Sequence, residues 1–141
     1  MKILLAADGS ANALRTTDYV IKLAQKGITI EVTVVTVIPM TKELSGYLGV
    51  DGEEYRRLVE KRAKPIFAKY EAAFKEYDNI QAHYDIEQGD AAEQVVFLAN
   101  SGKFDEIVIG SRGLSEIKEI FLGSVSHKVV QLAKCPVVIV K

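Results

Sequence analysis

The sequence predicts an open, doubly wound α/β sheet, and three observations carry that prediction. Short, β-branched apolar runs recur along the chain, segments with a helical period separate them, and the two kinds alternate from end to end. Near-continuous apolar runs are what strands need when both of their faces are covered, as in a parallel sheet between two layers of helices. Crossovers in such a sheet are right-handed.

The elements follow in order. KILLAA (2–7) is the first strand. Residues 11–26 have a helical period in which Ala13, Thr17, Val20, Ile21 and Ala24 share a face, with Ser10 placed to cap the start and Gly27 to stop the end. ITIEVTVVTVI (28–38) is the second strand, and PMTKELSGYLGVDG (39–52) is expected to be a long flexible loop. Its glycines, Gly46, Gly49 and Gly52, have no strand or helix start beside them and read as flexibility. Segment 53–77 sets Tyr55, Leu58, Val59, Ile66, Phe67, Tyr70, Ala73, Phe74 and Tyr77 on one stripe, and Pro65 predicts a kink or a broken start. NIQAHYDIE (79–87) alternates, with Ile80, Ala82, Tyr84 and Ile86 on one side, as a half-exposed edge strand would. The next helix opens at DAAE, where Asp90 caps and Glu93 reaches back, and ends near Gly102. DEIVIG (105–110) and PVVIV (136–140) are the remaining strands. Between them a helix from about Ser124 to Lys134 is expected to turn Val125, Val129, Leu132 and Ala133 inward, with Pro136 beyond its end.

Composition sets limits on function. At 141 residues the chain reads as one domain, 1–141, with no internal repeat. Lys plus Arg number 18 against 19 Asp plus Glu, so no net field favours nucleic acid or an anionic membrane, and any anion site must be local. One cysteine, Cys135, excludes an internal disulfide and the Cys-rich zinc patterns and fits a reducing compartment. KILLAA is too short to span a bilayer and lacks a signal peptide's cleavage region, so the expected location is cytoplasmic.

The glycines give the first functional signal. In an open α/β sheet a ligand sits beyond the carboxyl ends of the strands, and Gly110 and Gly113 fall at that end of the fourth strand. Backbone N–H groups that converge on a phosphate need side chains to be absent where the chain passes closest and unusual φ values to be cheap. Gly123, followed by Ser124, Val125 and Ser126, offers a helix N-terminus with unpaired amides and hydroxyl donors. Asp8, in AADGS just past the first strand, faces the same crevice. Any one of these alone is more often a strand stop, a turn or a helix entry; their convergence on one crevice carries the phosphate reading. Neither a G-x-x-x-x-G-K-[ST] loop nor a G-x-G-x-x-G fingerprint occurs, and GSRG follows a buried strand rather than joining two helices as an RNA-binding GXXG clamp does.

Gly110, Gly113, Gly123 and Ser124 complete a G-x2-G-x9-G-[ST] pattern that resembles the universal stress protein family, in its ATP-binding branch. ILLAADGS resembles that family's opening strand and acidic turn, QGDAAEQVV its third helix entry, and GSVSHKVVQLAKCPVVIV its closing helix and strand. The resemblance implies a Rossmann-like five-stranded parallel sheet in the order 3-2-1-4-5, ATP held with Mg or Mn, and homodimers. It further implies that the backbone at Val37 recognises adenine with Ala6 beside it, and that Asp8 meets the ribose or a metal-associated water. The amides of Gly110, Ser111, Arg112 and Gly113 and the segment Gly123, Ser124, Val125, Ser126 would take the phosphates, with Arg112 adding charge. PVVIV would be an uncharged sheet edge, and pairing Val137, Val138, Ile139 and Val140 with a second copy would cover it.

A catalytic set is not found: His83 and His127 are isolated, no G-x-S-x-G elbow occurs, and no base or charge clamp for phosphoryl transfer is identifiable. The leading expectation is a nucleotide-dependent homodimeric switch in which ATP shifts loop 39–52 and so controls a protein partner. The alternatives are a slow ATP hydrolase and a nucleotide-free structural dimer. A phospho-acceptor receiver would want paired acids where AADGS supplies only Asp8.

Overall fold

In the computed structural model, residues 1–40, 46, 52–114 and 122–141 are described. Strands β1 (Lys2–Ala6), β2 (Ile30–Ile38), β3 (Ile80–Gln88), β4 (Glu106–Gly110) and β5 (Val137–Val140) form one sheet in the order β3-β2-β1-β4-β5. Every neighbouring pair is parallel. Helices α1 (Ala11–Leu14), α2 (Thr16–Gln25), α3 (Gly52–Phe74), α4 (Ala91–Ser101) and α5 (Ser124–Leu132) complete the alternation.

The strand period divides the core into two layers. Ile3, Leu5, Val32, Val34 and Val108 point to the face packed by Val20 of α2 and Phe67, Tyr70 and Phe74 of α3. Leu4, Val35, Ile107 and Ile109 point to the other face, against Val95 of α4 and Val129 of α5. Most of these side chains are fully buried, each removing about 1.5–3 kcal/mol worth of apolar surface from water. β3 keeps the expected alternation, with Gln81, His83 and Asp85 exposed and Ala82 and Tyr84 half-buried.

Four expectations need correction. The helix over 11–26 is divided at Arg15 into α1 and α2, although Ser10 caps its start by accepting from the Ala13 N–H at 3.0 Å. α3 runs without a break from Gly52 through Pro65, which rules out the broken start. Pro65 and Lys61, whose carbonyl loses its amide partner, both lie on the solvent face, so the missing bond leaves no buried group unpaired. α5 ends at Leu132, and it buries Ser126 and Val129 while Val125 and Leu132 are 37% and 48% exposed. Asp90 caps α4 through the Glu93 N–H at 2.9 Å, but the Glu93 carboxylate accepts from Lys128 instead of reaching back. The loop expected at 39–52 lies outside the described residues except for its ends and Gly46, and Gly52 already belongs to α3.

Candidate functional site

β1, β2 and β4 stop at different heights, and their carboxyl ends open into a cleft of about 340 Å³. The last rung of the β1–β2 ladder is Ala6 against Val35, and the Ala7 N–H donates to Val35 O at 2.8 Å. β2 continues to Ile38 along β3. Alternate residues of a strand send their backbone groups to the same side, so the N–H and C=O of Val37 point to the β1 side beyond the point where β1 has ended. Val37 lines the cleft there, with Ala6 opposite.

The second wall is the turn after β4. Gly110 is buried, and a Cβ on it would stand 3.1 Å from the Ala13 N and from backbone atoms of Asn12, so it is glycine because α1 packs on it. Ser111 does not line the cleft: its N–H donates to Val140 O at 2.7 Å, and its carbonyl accepts from the Gly123 N–H at 2.8 Å and from Ser126 Oγ at 2.9 Å. The amides left to the turn are those of Arg112 and Gly113, both lining the cleft. A Cβ on Gly113 would lie 2.6 Å from Asp8 Oδ2. None of the three glycines of the pattern has a positive φ; that requirement falls instead on Gly9, at φ +84° in the turn beside Asp8.

The third wall is the start of α5. Gly123 precedes it in an extended conformation and gives no side-chain cap, unlike Ser10 for α1 and Asp90 for α4. Ser124, Val125 and Ser126 line the cleft with the first turn of that uncapped helix. Ser126 is not a free hydroxyl donor, because its Oγ donates to Ser111 O and Gly123 O, which pins α5 to the β4 turn.

Asp8 lies between these walls. Its Oδ1 accepts from the Ser10 N–H at 2.8 Å, which makes it a turn residue, while Oδ2 faces Gly113 and the cleft. Arg112 is half-buried in the cleft wall and makes no ion pair among the described residues. Sequence reasoning missed the apolar floor, Val35, Ala91, Val95 and Ile109, and the exposed rim residue Leu114. Only the sheet order announces them, since it carries the start of α4 past the ends of β1 and β2. No helix among the described residues is long and apolar enough to cross a membrane, and no cluster of three or more metal-ligating side chains occurs among them.

Comparison with known proteins gives a consistent result. The model of the universal stress protein family matches residues 1–141. Universal stress protein YxiE of Bacillus subtilis is 36% identical over 149 residues, covering 99% of this chain and 98% of that one. The solved structure of MJ0577, from Methanocaldococcus jannaschii, superposes with a TM-score of 0.78 at 29% identity and covers 99% of this chain and 94% of that one. The universal stress protein from Archaeoglobus fulgidus in complex with dAMP has a TM-score of 0.69 at 21% identity, with 100% and 98% covered, a likeness of fold.

Proposed function

The chain belongs to the universal stress protein family, and from that premise we propose that it is a nucleotide-binding protein which holds ATP in the cleft at the carboxyl ends of β1, β2 and β4. One observation carries the reading: the Val37 backbone, which points past the end of β1 with no β1 residue opposite it, the Arg112–Gly113 turn and the start of α5, which has no side-chain cap among the described residues, border a single cleft. An adenine edge has a donor and an acceptor to meet at Val37, and its faces have Ala6 and the apolar floor. The phosphates lie against the amides of Arg112, Gly113, Ser124, Val125 and Ser126, where the helix dipole favours negative charge. The relative that is described in complex with dAMP supports the adenine nucleotide class.

A divalent cation fits this cleft in one way. Asp8 is its only acidic side chain among the described residues, so Mg or Mn would take one carboxylate oxygen and complete its shell with phosphate oxygens and water. That arrangement also removes the repulsion between Asp8 and a polyphosphate, with Arg112 adding a second positive charge.

The protein acts as a homodimer through β5, and nucleotide occupancy switches its recognition of a protein partner. Val137, Val138, Ile139 and Val140 are half-buried in a sheet edge that, among the described residues, pairs on one side only, with β4, and carries no charge. Light scattering at micromolar concentration should return twice the chain mass; a monomer overturns the dimer.

The deciding experiment is a calorimetric titration of MgATP, with AMP and GTP as controls, into protein freed of nucleotide by unfolding and refolding. One site per chain with micromolar affinity, and weaker AMP, is the expected result. Gly113→Val should then lower the affinity at least about tenfold, since its side chain would displace Asp8 Oδ2 and fill the cleft. No heat and no rise in Tm at saturating MgATP overturn the nucleotide reading.

A further inference from the structure

α3 is one helix resting on two separate clusters. Its buried stripe runs through Tyr55, Val59, Ala63, Phe67, Tyr70 and Phe74. From Ala63 onward the stripe packs into the main core, with Val20, Val32 and Val34. Tyr55 and Val59 pack elsewhere: with Ile38, the last residue of β2, they form a small cluster edged by Leu58 and Ile86. Three buried side chains make that cluster among the described residues, against thirteen in the main core. Ile86 borders both, and an open recess of about 530 Å³, lined in part by Lys61, Ala63, Lys64, Phe67 and Ile86, lies where they meet.

The helix changes clusters where its own ladder is weakest. Pro65 has no N–H for the Lys61 carbonyl, and its ring crowds that carbonyl. The lost bond spans residues 61–65, just past Val59 and across Ala63. A turn without its bond passes helical order on poorly, and a few turns of helix are not stable alone. The first half of α3 therefore depends on its small cluster and on one tie to the sheet. In that tie the Tyr55 hydroxyl donates to Gln88 Oε1, at the end of β3.

We infer that residues 52–62 are a separately opening arm of α3, hinged at Lys61–Pro65 and latched shut by Tyr55 on Gln88. Opening the arm uncovers Ile38 and Ile86 near the carboxyl ends of β2 and β3 and leaves the main core intact. Ile38 follows Val37, which lines the cleft, so the arm is a movable shoulder of that cleft. Neither hinge nor latch depends on what the cleft binds.

Amide hydrogen exchange of the 141-residue chain under native conditions, read by NMR, tests the inference. Protection factors over 58–62 should share one value, at least about tenfold below those over 67–74. A smooth gradient from the amino end into 67–74, which is fraying, or one value along the whole helix overturns the arm. Tyr55→Phe should lower protection over 58–62 about fivefold, the size of one net hydrogen bond, and leave 67–74 unchanged. No change over 58–62 overturns the latch, and an equal fall in both halves overturns separate opening. Pro65→Ala, which gives the Lys61 carbonyl an amide, should raise protection over 58–62 at least about threefold and narrow the step. A step of unchanged size overturns the hinge.

Discussion

The two ends of the sheet hold the two buried polar atoms that lack a hydrogen-bond partner among the described residues, and they hold them in opposite ways. At the carboxyl ends the buried Tyr70 hydroxyl feels the charge of Asp8, whose carboxylate opens into the cleft. At the amino ends Glu106, the first residue of β4, is only 7% exposed. One of its oxygens accepts from the Tyr19 hydroxyl at 3.4 Å and the other is unpaired. Burial raises the Glu106 pKa ahead of a lowering by Tyr19 and a further rise from Asp105. Burial likewise raises the Cys135 thiol, and the Glu106 charge adds to it, which keeps the sulfur protonated and unreactive. The lesson is that an unpaired polar group marks a site only where the surroundings are open to a ligand. Glu106 is enclosed within β4 and held by Tyr19, a structural role with no cleft beside it among the described residues.

The largest expected effect sharpens this contrast within the carboxyl end itself. Gly110→Val would drive side-chain atoms into the backbone of Asn12 and Ala13 and should cost about 3 kcal/mol in urea unfolding. Gly123→Ala meets its nearest neighbour at 3.4 Å, from an extended backbone that any residue adopts, and should cost less than about 0.5 kcal/mol. Equal losses would mean that both glycines are packing devices and that the cleft owes nothing specific to either.

At the amino end the prediction concerns pH. Glu106 holds its proton more tightly folded than unfolded, so between its ordinary carboxylate value and the higher folded value stability falls as pH rises. Glu106→Gln removes that loss. Its Tm should exceed that of the wild type by about 2–4 °C at pH 7, and the difference should vanish near pH 4, where both side chains are uncharged. A difference independent of pH would show that Glu106 is not a buried acid and would break the contrast between the two ends.

The fold was legible because it rests on period. Apolar runs such as ITIEVTVV and the helical stripe of 53–77 have one arrangement that buries them, and the sheet order and element boundaries agree to within a few residues. The candidate site was legible in part. Asp8, Val37, Arg112, Gly113 and Gly123–Val125 do converge, since strand ends and a helix start lie where the topology puts them. Gly110, Ser111 and Ser126 were harder, because what they contact is set by neighbours distant in sequence: α1 against Gly110, and Val140 O on the Ser111 amide. α5 was misread for a related reason. Apolar Val125 and Leu132 were assigned inward, yet the buried face runs through Ser126, whose hydroxyl is satisfied by two carbonyls, so a polar residue occupies the position that hydrophobicity alone would deny it.

The smallest effect concerns what joins two walls of the cleft. Lys128 on α5 donates to Asp90 Oδ1 at 3.3 Å and to Glu93 Oε1 at 2.9 Å at the start of α4. The Glu93 hydrogen bond leads the rise in the Lys128 pKa, and the Glu93 backbone N–H leads the fall in that of Asp90. The two signs differ: the Asp90 contribution is present above its unfolded pKa and lost as pH falls through the lower folded value, while that of Lys128 is present below its unfolded pKa and lost as pH rises through the higher folded one. The Lys128 and Asp90 side chains keep 38% and 49% of their surface in solvent, so the ion pairs are screened, whereas the cap bond satisfies a helix amide at any salt concentration. Lys128→Met should therefore leave Tm within about 1 °C of the wild type at physiological salt. Asp90→Ala should cost about 1 kcal/mol and still do so in about 1 M NaCl. If both losses were alike and both faded with salt, charge rather than capping would set the contribution of Asp90, and the carboxyl end would depend on ionic strength.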